Sequence, residues 1–148
     1  MLTKRRLILK AALAGAALAA LPRALLAWPK TAFESDSADT AMKELFGATA
    51  TTPSDAITLT APDIAENGAV VPVTVSTSIE GAETIGIIVS ENPSPLAASF
   101  DLTADSVPEV STRIKMGKTS DVVAVVKANG QLYSTSKNVK VTIGGCGG

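Results

Sequence analysis

The period of hydrophobic positions changes along the chain, and each change marks an element. A basic head with Lys4, Arg5 and Arg6 leads into Leu7-Ile8-Leu9-Lys10 and the Ala-rich run AALAGAALAALP. From Ala11 to Leu21 that run is too short for the ~20 residues a bilayer core demands, so it reads as a removable export signal, not a spanning helix. Pro29 to Asp39 shows no apolar period and reads as irregular. Thr40 to Gly47 then places Ala41, Met42, Leu45 and Phe46 on one face of a short helix. Asp39 or Thr40 is its expected cap, and Gly47 suits the left-handed residue after its end. The apolar stripe predicts packing against the edge of the domain.

From Ile57 onward the period is two. Ile57-Thr58-Leu59-Thr60 alternates, and Val71, Val73 and Val75 alternate with Pro72, Thr74 and Ser76. Pro72 inside that run predicts an edge strand or a bulge. Ile85-Gly86-Ile87-Ile88-Val89 is apolar throughout, which predicts a more buried strand, with Gly86 permitting close approach by a neighbour. Leu96 to Leu102 reads as a further strand. Val110, Thr112, Ile114 and Met116 alternate with Ser111, Arg113 and Lys115. Val122 to Val126 predicts a central strand. Asn129-Gly130 suits a two-residue hairpin with positive φ at both positions. Leu132 to Ser136 returns from it, and Val139, Val141 and Ile143 form a last alternating strand.

Seven or eight short strands, with turn signals between them and no alternating helices, predict an all-β chain. The expected architecture is an immunoglobulin-like antiparallel β-sandwich with a short N-terminal helix, a small barrel being the other solution. The expected organisation is a signal peptide over residues 1–27, an N-terminal segment with the helix over 28–56, the sandwich over 57–143 and a flexible arm over 144–148. The disulfide and buried Trp of antibody domains are absent, Trp28 lying at the start of the mature chain.

Composition narrows the chemistry. The 148 residues include one Cys and no His. Without His there is no Ser-His-Asp or Cys-His nucleophile pair and no imidazole metal site. One Cys makes neither an intrachain disulfide nor a thiolate zinc site. These absences remove much of enzymology, and no metal or cofactor is expected of this chain. Residues 1–27 hold five of the 13 basic residues and no acid, which leaves eight basic against 14 acidic residues in the mature chain, a net charge of −6. An acidic surface with 3 % aromatic residues argues against nucleic-acid and anionic-membrane binding. Arg5-Arg6 followed by an apolar run is the pattern of a twin-arginine signal, which exports folded proteins and predicts a periplasmic location. An unpaired Cys in that oxidising compartment marks an intermolecular link or a reactive thiol.

That Cys lies in Gly144-Gly145-Cys146-Gly147-Gly148. Four glycines contribute nothing to packing and resist ordering, since glycine loses the most backbone freedom. A structural Cys sits instead among apolar residues. At ~3.3–3.6 Å per extended residue, such an arm lets the sulfur sweep roughly 10 Å from the strand end. Glycine also presents only backbone width to a narrow channel. The residues alone leave three readings open: a carrier that delivers a bound group to other active sites, a structural or adhesive β-sandwich that dimerises through a Cys146 disulfide, and a sulfur carrier of the ubiquitin-like kind that uses the terminal Gly147-Gly148 carboxylate. Two further stretches carry weaker signals. Arg113, Lys115 and Lys118 form a cationic segment suited to an acidic partner or simply solvated, and Asn92-Pro93-Ser94-Pro95 reads as a rigid loop.

The tail Val139-Lys140-Val141-Thr142-Ile143-Gly144-Gly145-Cys146-Gly147-Gly148 resembles the C-terminus of the SoxY family, sulfur carriers of the bacterial Sox thiosulfate-oxidising system. Further likeness lies in Glu66-Asn67-Gly68 with Val71-Pro72-Val73-Thr74-Val75, in Glu91 to Phe100, in Thr112-Arg113-Ile114-Lys115-Met116 and in Thr119-Ser120. The resemblance spans nearly the whole mature chain. It implies a non-enzymatic carrier in which Cys146 is the covalent attachment point and Gly144, Gly145, Gly147 and Gly148 form the arm. It implies a heterodimer with SoxZ, a second immunoglobulin-like protein. It also implies transient encounters with SoxAX, a c-type cytochrome complex that conjugates thiosulfate, with SoxB, a metal-dependent hydrolase that releases sulfate, and in some systems with SoxCD.

Sulfur–sulfur bonds form through thiolate attack, so a single accessible Cys suffices. Lys140 is the nearest basic residue in sequence to Cys146, and nothing beside it acidifies the thiol. The expected outcome is that the isolated chain alkylates with the pH profile of an ordinary cysteine, half-maximal near ~8.5. A strongly acidic midpoint in the alkylation rate would show that this chain activates its own thiol.

Overall fold

The two inner apolar strands of the large β-sheet are buried on both faces, and that decides the architecture. The computed structural model describes residues 28–142. Two helices, α1 (Lys30–Phe33) and α2 (Ala38–Phe46), precede nine strands: β1 (Thr52–Pro53), β2 (Ile57–Thr60), β3 (Ile64–Ala65), β4 (Val71–Thr77), β5 (Ala82–Val89), β6 (Leu96–Asp101), β7 (Glu109–Ile114), β8 (Ser120–Ala128) and β9 (Gln131–Val141). The chain is all-β in character, with two short helices. One sheet runs β1-β9-β8-β5-β6, with β3 also on β9, and a second runs β2-β4-β7.

Strand alternation sorts the side chains of the large sheet into two cores. Ile85, Ile87 and Val89 of β5, Val122, Ala124 and Val126 of β8, and Val139 of β9 face Ile57, Val71, Val73, Val75 and Ile114 of the small sheet. Ile88 and Val125 point the other way, where they meet Ala32 of α1 and Ala41, Met42 and Phe46 of α2. Both faces of β5 and β8 are buried, which is why these strands read as continuous apolar runs. β8 is central, as expected. α2 lies over this second face of the large sheet rather than at the domain edge, because Ile88, Leu96, Val125 and Leu132 need a cover.

α2 begins earlier than its apolar stripe suggested. Ser37, not Asp39 or Thr40, is the cap, its hydroxyl accepting from the Thr40 amide at 3.2 Å. Asp39 sits inside the first turn, where a carboxylate favours the positive end of the helix dipole. Gly47 ends the helix at φ 79°, as its position predicted. The stretch from Pro29 is not wholly irregular, since α1 makes one turn there and buries Ala32. One turn is too short to display a period.

Three strand expectations need correction. Pro72 lies in β4, the middle strand of the small sheet, yet β2 stops at Thr60 opposite Thr74. No ladder bond to β2 is therefore asked of the proline, which has no amide hydrogen to give. The return from the hairpin and the last strand are one continuous strand of 11 residues, β9, because β8 pairs with it without interruption from Ala128↔Gln131 to Ser120↔Val139. The chain also contains two short parallel pairings, Thr52↔Tyr133 with Pro53↔Ser134 and Ile64↔Lys140 with Ala65↔Val141. The Asn129-Gly130 hairpin forms as read, with φ 51° and 75° at its two central residues.

Gly86 of β5 faces α2. A Cβ there would stand 2.8 Å from Cζ and 3.2 Å from Cε2 of Phe46, and 3.4 Å from Cδ2 of Leu45. The Phe46 ring is buried and packs with Ala41, Met42, Ile88 and Val125, so it must shift to admit that Cβ. Gly86→Ala is expected to destabilise the domain by about 1–3 kcal/mol through overpacking. Urea denaturation measures this, and an unchanged midpoint would mean that the ring moves aside freely.

Candidate functional site

Cys146 and the glycines Gly144, Gly145, Gly147 and Gly148, like Ile143 and the export signal expected over residues 1–27, lie outside the described residues. The described part of the site is the platform from which that segment leaves. Covalent geometry alone bounds the distance: four Cα–Cα steps of ~3.8 Å keep Cys146 within about 15 Å of Thr142.

The platform is the end of β9, and its backbone is held on both sides. The amides of Lys140 and Thr142 donate to the carbonyls of Asp63 and Ala65 at 3.0 and 3.1 Å, which is the β3 pairing. On the opposite side β8 pairs with β9 only as far as Val139, and the next outward amide, that of Val141, donates to the Thr119 hydroxyl at 3.0 Å. The Thr142 hydroxyl donates to the carbonyl of Glu66 at 3.2 Å. Val139, fully buried, anchors the strand to the core just before this point. The Thr119-Ser120 and Glu66-Asn67-Gly68 stretches singled out in the sequence therefore meet here. Asn67 closes its own turn through the Ala69 amide at 2.9 Å, and the Gly68 carbonyl accepts from Met116 at 2.7 Å.

Lys137 is a residue that the sequence reading missed. Its ammonium donates to the Ala61 carbonyl at 2.6 Å and pairs with the Asp63 carboxylate at 2.9 Å. This side chain stands on β9 itself and ties down the connection that leads into β3. Nothing in the local sequence signals the role, because its partners lie more than seventy residues earlier. An alternating polar position in a strand looks the same whether its side chain is solvated or bonded.

The cationic segment does not act as one unit. Lys118 pairs with Glu91 at 3.0 Å. Arg113 and Lys115 are exposed and have no carboxylate partner among the described residues. The Asn92-Pro95 loop is fastened by the Asn92 side chain, which donates to the Lys115 carbonyl at 2.7 Å and accepts from the Gly117 amide at 3.0 Å. Among the described residues no cluster of three or more His, Cys, Asp or Glu is placed to hold a metal. No described helix is long and apolar enough to cross a membrane.

Comparison with known proteins places this geometry. The profile of the family described as sulfur oxidation protein SoxY matches residues 42–146, a span that reaches from α2 to the tail cysteine. Among solved structures, the sulfur carrier protein SoxY from Chlorobium limicola f thiosulfatophilum is 51 % identical, with 71 % of this chain and 96 % of that one covered at a TM-score of 0.64. A superoxide reductase (neelaredoxin) from Ignicoccus hospitalis shares only the fold, at 20 % identity and a TM-score of 0.50 over 57 % of this chain and 79 % of that one. A search of curated proteins finds no match. With a matched span of this length and a solved relative at that identity, the chain belongs to the SoxY family of sulfur oxidation proteins.

Proposed function

We propose that this chain is a periplasmic sulfur carrier of thiosulfate oxidation, with Cys146 as the covalent attachment point on an arm formed by Gly144, Gly145, Gly147 and Gly148. The observation that carries the reading is the family match, which runs to Cys146, the single cysteine of a chain without histidine. The immunoglobulin-like class of the two-sheet fold and a twin-arginine-type signal over residues 1–27 belong to the same proposal. So do a heterodimer with SoxZ and encounters with SoxAX, SoxB and, where present, SoxCD.

The chemistry asks of the chain only a nucleophilic sulfur. In the loading step the Cys146 thiol loses its proton and the sulfur bonds to the outer sulfur of thiosulfate, giving Cys–S–S–SO3⁻. Two electrons leave to the c-type cytochrome of SoxAX. Hydrolysis by SoxB then adds water, breaks the bond between the outer sulfur and the sulfone, and leaves a persulfide on Cys146 with release of sulfate and protons. SoxAX supplies the haem and SoxB the metal.

The clamp at the end of β9 suits this role. A substrate on an arm reaches a partner's channel only if the arm's root stays fixed relative to the docked domain, since motion at the root dilutes the local concentration of the thiol. Lys140, Val141 and Thr142 supply that fixed root through their bonded amides.

Two tests follow. Intact mass spectrometry of the native protein during growth on thiosulfate is expected to find sulfur or thiosulfonate adducts on the C-terminal peptide, and Cys146→Ser is expected to abolish thiosulfate-dependent oxidation while leaving the melting curve unchanged. A persistently unmodified thiol, or retained oxidation, overturns the carrier reading; a quantitative disulfide dimer supports the structural one instead. Lys137→Met removes the ammonium and leaves the Ala61 carbonyl without its donor, a loss of about 1–3 kcal/mol. Amide hydrogen exchange at Lys140 and Thr142 is expected to accelerate ~10-fold or more, with the β8–β9 hairpin amides unaffected. Unchanged exchange would show that β3 holds the root without Lys137.

A further inference from the structure

The two sheets end together on one side of the molecule, the large sheet at β6 and the small sheet at β7. The edge of β7 is open. Proline cannot take part in a hydrogen-bonded pair, so the Pro72↔Arg113 pair of β4 and β7 is of the non-hydrogen-bonded kind, and alternation makes Thr74↔Ser111 the same. The N–H and C=O groups of Ser111 and Arg113 therefore point away from β4. Among the described residues no other segment bonds to them.

The edge is already matched at one end. Lys115 and Gly117 continue the outward row, and there the Asn92 amide side chain both donates to a carbonyl and accepts from an amide, as the peptide group of an added strand would. Beside this row lies a cleft of about 360 Å³, lined by Pro93, Ser94, Leu96 and Ala97 with Ile114. Arg113 and Lys115 line the same cleft, without carboxylate partners among the described residues, in a chain whose residues 28–148 carry a net charge of −6.

We infer that the β7 edge receives an extended acidic segment of a partner protein as an added strand, with its backbone bonded to Ser111 and Arg113 and its carboxylates facing Arg113 and Lys115. Unpaired edge groups are a template for another chain, and alternate side chains supply the specificity. The charge selects among occupants. In an antiparallel pairing of two copies centred at Ile114, beside the cleft, Arg113 of each opposes Lys115 of the other, which disfavours a second copy in that register; an acidic strand gains from the same cations. This inference stands on the edge and its charge and does not depend on the chemistry of Cys146.

The test uses the full chain and a capped six-residue peptide alternating Glu and Val, with a Lys–Val peptide as control. The Glu–Val peptide is expected to slow amide exchange at Ser111 and Arg113 at least tenfold, and the control is expected to leave it unchanged. Ser111→Pro is expected to abolish the protection; proline is tolerated there because the lost amide hydrogen points outward. Arg113→Glu, an exposed change that keeps the fold, is expected to reverse the preference between the peptides. Unchanged exchange with the acidic peptide, equal response to both peptides, or protection that grows with protein concentration alone would each overturn the inference, the last in favour of a second copy.

Discussion

The two-sided burial of the large sheet is the constraint on which the rest of the structure depends. The middles of β5 and β8 are apolar on both faces, so each face of their sheet needs its own cover. The small sheet covers one and the α1–α2 pair the other. An all-β chain of this kind needs helices for this reason alone. Gly86 sets how closely the second cover approaches, because the Phe46 ring rests where a side chain would otherwise stand. At close-packed density such a contact leaves no slack.

β9 answers a different problem. It would be an edge strand, and exposed edges invite pairing with other chains. Here the segment from Thr52 to Ala65 guards it twice, first as β1 and again as β3, crossing to the small sheet as β2 between the two. Lys137 secures the connection between β2 and β3. The same protection that closes the edge also immobilises the backbone up to Thr142, just before the glycine-rich tail. On the carrier reading, one arrangement both prevents aggregation and supplies a rigid root for the thiol.

The two sides of the molecule are thus unlike. The β9 side is sealed by parallel strands and by a lysine that spends its charge on a backbone carbonyl and a carboxylate. The β6–β7 side keeps backbone groups and two cations open. In a chain with more acidic than basic residues, two exposed cations that lack carboxylate partners among the described residues and stand on an open strand edge are a directional feature, since they attract an acidic partner.

Period and composition were enough to read most strands, the Asn129-Gly130 hairpin, the Gly47 helix end, the close approach at Gly86 and the singular status of Cys146. These are local properties: a side chain's alternation reports its own burial, a turn needs two residues with positive φ, and a single Cys is read directly from the composition. The unity of β9, the second cover over the large sheet, the harmlessness of Pro72 and the roles of β1, β3 and Lys137 were decided only by tertiary structure. Each depends on what lies across the strand or helix, and that neighbour comes from a distant part of the chain. Lys137 and Asn138 fall in the gap between the two strands the sequence predicts until Ala61 and Asp121 arrive to bond them. Sequence determines which residues must be buried and which thiol is available; only the assembled fold determines which partner satisfies each polar group, because hydrogen bonds are directional and burial is not.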